Sequence, residues 1–234
     1  FRLINNNVEV VYFSGLSLFF APFFLGKGKH VFFTHGFYIY EGIKNPIRNF
    51  KKYFYELHTS LFLFFYQWVY CFSPTPVSSL VNSIMYSRKT YTIPWAVTPE
   101  FTKFEIKNNF YKYHLTFLGR PNTQKLEIRS IRLILNLLKK QKIIAENESI
   151  TIAFVVPYLN KHLNYIQDTL KKEYKCAIYN FVKKNNFEVS KVLSYSLYSF
   201  NCFEWEAFGL THLESLCMGC NILLPINSPI ISLI

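Results

Sequence analysis

Two carboxylates on either side of a glycine turn are the residues of this chain best suited to chemistry. Glu206 and Glu214 have seven residues between them, and Phe208-Gly209-Leu210 lies in that interval. We expect a loop to end at Gly209 and a helix to begin there, with Glu214 on the helix and Glu206 in the loop. The backbone N–H groups from Gly209 to Thr211 would then face the same place and attract an anion. Two acceptors beside an anion site suit a ligand with hydroxyl groups and a phosphate.

A second candidate group, Gly119, Arg120 and Lys125, follows an apolar segment that we predict to be a strand at His114–Leu118. Glycine lets the backbone approach a ligand closely. Arginine offers phosphate oxygens a planar fork of donors, and lysine adds a flexible point charge. The ordinary alternative is two solvated basic residues in a surface loop. Taken alone, these residues leave both interpretations open, and the phosphate contact is favoured only together with the Glu206 to Glu214 motif downstream.

A histidine at a strand end is the third candidate. His35 follows a predicted strand at His30–Thr34 and precedes Gly36. A lone histidine is more often structural than catalytic, so this position alone predicts no chemistry.

The elements that must position these residues alternate between apolar runs and helical patterns. Nine segments of this kind fill the second half of the chain, and three further strands and one helix are predicted before them. The predicted strands are Val8–Phe13, His30–Thr34, Trp68–Ser73, His114–Leu118, Ser149–Val156, Cys176–Val182, Tyr195–Phe200 and Asn221–Leu224. The predicted helices are Arg48–Tyr66, Lys125–Gln141, Lys161–Glu173, Glu188–Tyr195 and Leu210–Cys217. Alternation with short links predicts an α/β fold with parallel sheets and ligands at the carboxyl ends of the strands.

A proline-containing segment at Thr92–Pro99 divides the chain. Its prolines disfavour a regular helix, so we predict a linker there. This gives two predicted domains, 1–99 and 100–234. The chain begins with Phe1 and stops at Ile234 within an apolar run, so we expect both domains to be incomplete.

Charge and acidic residues limit the kinds of partner and cofactor. The formal net charge is +12, which suits an anionic partner, although a sequence rich in Lys, Asn, Ile, Phe and Tyr would also follow from AT-rich codons. Asp168 is the only aspartate, so no Asp-x-Asp pair can hold a divalent metal, and we expect neither a metal nor another cofactor. The aromatic residues lie mainly in apolar runs typical of a core, and no nucleic-acid-binding motif occurs, so we expect no nucleic acid.

Cysteines and apolar segments are also informative. The five cysteines include one Cys-x-x-Cys, Cys217 to Cys220, without a second pair, so we read it as small apolar residues at a helix end rather than as a zinc site. The apolar runs Val10–Leu25 and Leu61–Phe72 are shorter than the roughly 20 residues needed to span a bilayer, so we expect them in the core.

These motifs together resemble the retaining glycosyltransferases of family four (glycosyl transferases group 1), which have the GT-B fold. The family pattern is Glu, any residue, Phe-Gly-Leu, then Leu-Glu and a turn of small residues with Gly, and the segment from Glu206 to Gly219 fills it. The Gly119-Arg120…Lys125 group is similar to the family's phosphate-binding Gly-Arg…Lys, although Leu126 stands where Gly is common. Ile93-Pro-Trp-Ala-Val97 resembles the family's interdomain linker, but the family prefers Asn-Gly after the proline.

The resemblance implies two Rossmann-like domains that face each other across a cleft, the first an acceptor-side domain and the second a donor-binding domain. It implies transfer of a sugar from a nucleotide-sugar to an acceptor hydroxyl, with retention of configuration and without a metal. Glu206 would contact the hydroxyls of the transferred sugar and Glu214 those of the ribose. Phe208, Gly209, Leu210 and Thr211 would form the diphosphate loop with Gly119, Arg120 and Lys125, and His35 would face the donor sugar.

Three alternatives stay open at this point. The chain could be a catalytically inactive GT-B-like partner subunit, a phosphorylase that shares the double-glutamate motif, or a basic peripheral membrane-binding protein. Basic and aromatic residues around Lys44–Tyr55 suit an anionic membrane surface. We therefore expect a cytoplasmic protein of carbohydrate biosynthesis whose acceptor is a carbohydrate or a lipid-linked sugar, with peripheral membrane contact as a secondary hypothesis.

Overall fold

The computed structural model describes residues 10–13, 15–24, 28–34, 50–94, 96–102, 111–123, 125–145, 147–201, 209–225 and 231. These residues form two compact units. One contains the described residues up to Pro94 together with Ile231, and the other contains those from Ala96 to Pro225. Each unit has its own parallel sheet and its own core.

The first unit is built on a four-stranded parallel sheet. Its strands are β1 (Val10–Phe13), β2 (Lys29–Phe33), β3 (Val69–Ser73) and β4 (Thr90–Thr92), in the order β1-β2-β3-β4. The helices are α1 (Phe50–Phe65) and α2 (Pro76–Met85), and a 3-10 helix covers Gly15–Phe24. Helix α2 begins at Pro76 because Thr75 and Ser78 form a capping box, and because proline suits the first helical position.

The second unit has a five-stranded parallel sheet in the order β7-β6-β5-β8-β9. Its strands are β5 (Tyr113–Leu118), β6 (Ile150–Val156), β7 (Cys176–Val182), β8 (Ser196–Phe200) and β9 (Asn221–Leu223). Its helices are α3 (Ile128–Lys140), α4 (Lys161–Glu173), α5 (Asn186–Ser194) and α6 (Leu210–Cys217). Alternate strand residues face opposite sides, so the strands bury apolar residues on both faces and read as continuous apolar runs.

Helices cover both faces of this second sheet. On one face, Ile131 of α3 and Ile166 of α4 pack in a core that also contains Phe117, Phe154 and Phe200. On the other face, α5 packs against Tyr113 and other strand residues. The apolar residues of α3 recur at helical spacing, which is why the sequence pattern located this helix.

The strand order reverses beside β5. The chain runs outward from β5 to β6 and β7, then returns to the other side of β5 for β8 and β9. In open α/β sheets the crevice at such a switch point, beyond the carboxyl ends of the strands, is where ligands bind. Here the switch point lies between β5 and β8, whose Phe117 and Phe200 are aligned partners.

The predicted α/β class with parallel sheets is confirmed, and most element bounds differ by one or two residues. Helix α2 was not predicted, and three further details were wrong. Helix α3 begins at Ile128 rather than Lys125, because Asn122 holds the Lys125 N–H in a turn. Helix α5 begins two residues earlier than predicted, because Asn185 caps it. Strand β4 occupies the start of the predicted linker, since Thr90–Thr92 pairs with β3. The predicted boundary near Pro99 stays a prediction.

Candidate functional site

Gly119 stands at the switch point, directly after β5. Its N–H donates to the Val155 carbonyl at 3.1 Å, which extends the pairing of β5 with β6 by one residue. Its φ is +152°, a value that side-chain-bearing residues rarely adopt. Glycine is therefore required at position 119 because of the backbone conformation, and not because a side chain would lack space.

The loop after Gly119 is fastened to the neighbouring β6–α4 connection. Asn160, which caps α4 through its side-chain oxygen, donates from Nδ2 to the Pro121 carbonyl at 2.8 Å. His162 Nε2 lies 2.7 Å from the Leu126 carbonyl oxygen, so the imidazole donates there. Two side chains at the start of α4 thus fix both ends of the segment 121–126.

Arg120 and Lys125 are presented on this fastened loop. Arg120 is exposed, and Lys125 is half-buried. The Lys125 Cδ lies about 4.0 Å from the point where a Cβ on Gly119 would be, so the lysine stem runs beside the glycine. The structure therefore brings Gly119 and Lys125 together.

The second described segment of the predicted site is the start of α6, which follows β8 along the chain. Gly209 caps this helix in the left-handed conformation, with φ 75° and ψ 46°. The hydroxyl of Thr211 is buried and has no hydrogen-bond partner among the residues that the structure describes, and the Thr211 carbonyl accepts from Ser215 Oγ at 2.8 Å. The helix thus begins at Leu210 with first-turn N–H groups that have no partner within the helix, and with a buried hydroxyl beside them.

Glu214 lies one turn further along α6. It is half-buried, and because it is three residues from Thr211 the two side chains lie on the same face of the helix. The other predicted site residues, His35, Glu206 and Phe208, lie outside the described residues. The described part of the predicted site therefore comprises seven residues on two segments: Gly119, Arg120, Lys125, Gly209, Leu210, Thr211 and Glu214.

A buried polar network in the first unit was not predicted. Thr34, which directly follows β2, donates from Oγ1 to Ser73 Oγ at 3.1 Å and accepts from Asn82 Nδ2 at 2.8 Å. Ser73 Oγ also contacts Ser78 Oγ. The three side chains at Thr34, Ser73 and Asn82 are each at most 5% exposed. Polar residues that follow two strands could have signalled this network, but the role of Asn82, nine residues beyond Ser73, had no signal in the sequence.

The Cys-x-x-Cys pair lies between the end of α6 and the start of β9. Cys217 is the last residue of α6 and is exposed, whereas Cys220 is buried before β9. Burial raises the pKa of the Cys220 thiol to about 12, so it stays protonated at neutral pH. Among the residues that the structure describes, no three His, Cys, Asp or Glu side chains could hold a metal ion together.

Comparisons with known proteins identify the fold. No protein-family model and no curated protein matches the sequence. Among solved structures, OtsA in its apo form matches with a TM-score of 0.57 at 11% identity, over 92% of this chain. TarM matches with a TM-score of 0.56 at 11% identity, over 94% of this chain. Both have the GT-B architecture. The chain has the GT-B fold.

The two GT-B neighbours are longer than this chain, which spans 56% of OtsA and 42% of TarM. The two parallel sheets of this chain, with four and five strands, agree with the Rossmann-like domains of that fold. At this level of identity the likeness concerns the fold, and the resemblance to family four stays a prediction. No described helix is both long and apolar enough to cross a bilayer.

Gly119→Ala is expected to destabilise the second unit by about 1–3 kcal/mol, because a residue with a Cβ is strained at this φ. Space is not the cause, since an added Cβ would meet Phe117 at an ordinary 3.6 Å. Urea unfolding of the variant would measure the change. An unaltered midpoint would show that the backbone at 119 relaxes freely and is not held by the turn.

Proposed function

We propose that this chain transfers a sugar from a nucleotide-sugar donor to an acceptor hydroxyl, with retention of configuration and without a metal. The observation that supports the proposal is that two motifs follow the two neighbouring strands that flank the switch point. The loop with Gly119, Arg120 and Lys125 follows β5, and the start of α6 follows the adjacent strand β8. The GT-B fold adds support, because the neighbours of this chain are glycosyltransferases.

The donor's diphosphate would bind between these two segments. Arg120 is exposed and could offer its planar fork to phosphate oxygens, while Lys125 would add a second positive charge. The N–H groups at the start of α6 favour an anion. Thr211 brings a buried hydroxyl without a partner, which a phosphate oxygen could accept from. Although these groups are chemically different, each of them favours a negatively charged ligand.

The carboxylates would bind the rest of the donor. Glu214 shares a helix face with Thr211, so a ligand whose phosphate lies at the helix start would place its ribose hydroxyls near the carboxylate. By the family resemblance, Glu206 would accept hydrogen bonds from the transferred sugar, Phe208 would shape the loop, and His35 would face the sugar.

The chemistry follows from the charge that develops on the leaving group. Glycosyl transfer passes through an oxocarbenium-like state, and the diphosphate gains negative charge as the glycosidic bond breaks. Preorganised donors at Arg120, Lys125 and the α6 N–H groups would stabilise that charge. Their combined positive potential would stabilise the leaving diphosphate, as a divalent metal ion does in Asp-x-Asp enzymes. Asp168, the only aspartate, lies on α4 and has no second aspartate beside it.

Proton NMR of sugar nucleotides incubated with the protein and a panel of acceptors would test this function. We expect donor consumption that EDTA leaves unchanged, and a product with the donor's anomeric configuration. Loss of activity in EDTA would contradict the metal-independent mechanism, and an inverted product would contradict retention. Nucleotide binding without any donor consumption would instead favour the inactive partner subunit.

Membrane association is a second candidate, and one surface of the first unit favours it. An exposed apolar stripe runs along α1, and its five members are 54–64% exposed. They are Phe50, Phe54, Leu57, Leu61 and Phe64. Their spacing of three or four residues places them on one side of the helix. In the sequence, Lys51 and Lys52 directly follow Phe50, and positive charge in such a segment suits an anionic lipid surface.

A flotation assay with phosphatidylcholine vesicles, with and without phosphatidylglycerol, would test the stripe. We expect the protein to float only with the anionic vesicles, and Phe54→Ser combined with Leu61→Ser to reduce the floating fraction severalfold. Leu133→Ser is the matched control, because Leu133 is equally exposed on α3. Absence of flotation, or equal loss in the control, would contradict membrane contact through α1.

A further inference from the structure

A cavity of about 600 Å³ lies beside α5 in the second unit, on the face of the sheet that this helix covers only in part. Helix α5 packs over Ala153 and Val155 of the central strands. On the edge strand β7, Tyr179 of the same face is 38% exposed. The cavity is bounded by the sheet on one side and by α5 on the other.

The walls of the cavity are aromatic. Tyr113 meets Tyr179 edge-on, with ring centroids 5.3 Å apart, and it meets Phe181 in the same way at 5.8 Å. Phe187, at the start of α5, also lines the cavity and is largely exposed. Such walls favour a flat apolar body, since offset and edge-on ring contacts add to the gain from burial.

The rim of the cavity is positively charged. Lys112 lies with its Nζ 5.5 Å from the Tyr113 ring centroid and 5.8 Å from that of Tyr179. Lys191 stands on α5, four residues after Phe187 and on the same side of the helix. Lys184 pairs with Glu188 at 2.7 Å, so these two charges cancel. Within the described ranges neither Lys112 nor Lys191 has a carboxylate partner, so the cavity keeps two uncompensated ammonium groups.

None of the candidate donor-site residues lines the cavity. Lys112 directly precedes β5, whereas Gly119 directly follows it, so the two residues mark opposite ends of the same strand. Phe181 and Phe187 extend the cavity to the carboxyl end of β7, but the charged rim at Lys112 is distinct from the phosphate-binding groups.

We propose that this cavity binds an amphiphilic anion, a single carboxylate or phosphate joined to a flat apolar or aromatic body. The apolar body packs against Tyr113, Phe181 and Phe187. The anionic group pairs with Lys112 and Lys191 at the rim. Because the two lysines are the only uncompensated charges that line the cavity among the described residues, a neutral molecule of the same shape binds more weakly.

Calorimetric titration with 1-naphthyl phosphate, 1-naphthoate and neutral 1-naphthol would test the proposal. We expect at least one of the two anions to bind about fivefold or more tightly than 1-naphthol. The comparison of phosphate with carboxylate then identifies the preferred group. Binding of 1-naphthol as tight as that of both anions, or no binding by either anion, would overturn the proposal.

Substitutions of the two rim lysines test whether the anion binds in this cavity. Lys112→Glu combined with Lys191→Glu is expected to weaken anion binding by about fivefold or more. Both side chains are exposed, so the thermal unfolding midpoint should stay unchanged. Lys139→Glu is the matched control, because Lys139 also lies over a tyrosine, Tyr174, at 5.4 Å, but on α3. An equal loss in the control would show that the anion responds only to overall charge, and it would overturn the assignment.

Discussion

Arg120→Ala is expected to weaken the binding of a nucleoside diphosphate by about 10- to 150-fold. Hydrogen bonds to charged groups contribute about 1.5–3 kcal/mol, and 1.4 kcal/mol is tenfold in a binding constant. Arg120 is exposed at the switch point and is not needed for packing, so the variant should fold normally. Calorimetric titration with UDP, GDP and ADP would measure the loss.

Arg129→Ala is the control for this prediction. Arg129 is an exposed arginine near the start of α3, so its removal changes the net charge of the protein equally. We expect its dissociation constant to stay within about twofold of that of the unaltered protein, because exposed charges contribute little. Equal affinities of the two variants would contradict a direct contact between Arg120 and the diphosphate.

Phe117→Ala is expected to destabilise the second unit by about 3–5 kcal/mol, the range for removing a fully buried aromatic ring. Phe117 is completely buried on β5, and its ring centroid lies 6.3 Å from that of Phe154 and 5.7 Å from that of Phe200. The same ring supports Gly119, with Cζ 3.6 Å from the position of an added Cβ. Urea unfolding, followed by circular dichroism, would measure the change.

A substitution of a surface leucine is the control for this prediction. Leu133 on α3 is 62% exposed, so Leu133→Ala should alter the free energy of unfolding by no more than about 0.5 kcal/mol. If Phe117→Ala had an equally small effect, the cluster of Phe117, Phe154 and Phe200 would not be the centre of this core. The Phe117 variant should also bind nucleotide more weakly, since it loosens the support beneath Gly119.

The elements of the second unit were largely predictable because its strands are buried on both faces. Ile150–Val156 reads as one continuous apolar run, and the helices on either side show a regular apolar spacing. The errors occurred where a local polar contact decides the boundary, as at Asn122 before α3 and at Asn185 before α5. Strand β4, only three residues long, has no pattern of its own and exists because β3 pairs with it.

The candidate site could be predicted only as separate motifs. Glycine, arginine and lysine after a strand, and glycine at a helix start, can each be read locally. Whether the two motifs lie near each other depends on the pairing of β5 with β8. In that pairing Tyr113 is aligned with Ser196, which is distant in sequence. Strand order is set by packing over the whole unit, so a pattern of local apolar spacing cannot supply it. The cavity beside α5 was missed for the same reason, since Lys112 and Lys191 are distant in sequence.

The measurement that tests the central claim most directly is the thermal stability of the unaltered protein with UDP, GDP, ADP and their sugar conjugates. The claim is that the switch point between β5 and β8 binds a nucleoside diphosphate. A ligand that binds only the folded state at about 100 times its Kd adds about 2.7 kcal/mol. We predict that one nucleotide and its sugar conjugates raise the unfolding midpoint of the folded protein, and that Glu214→Ala abolishes the rise. A folded protein that none of these nucleotides stabilises at millimolar concentration would contradict the claim.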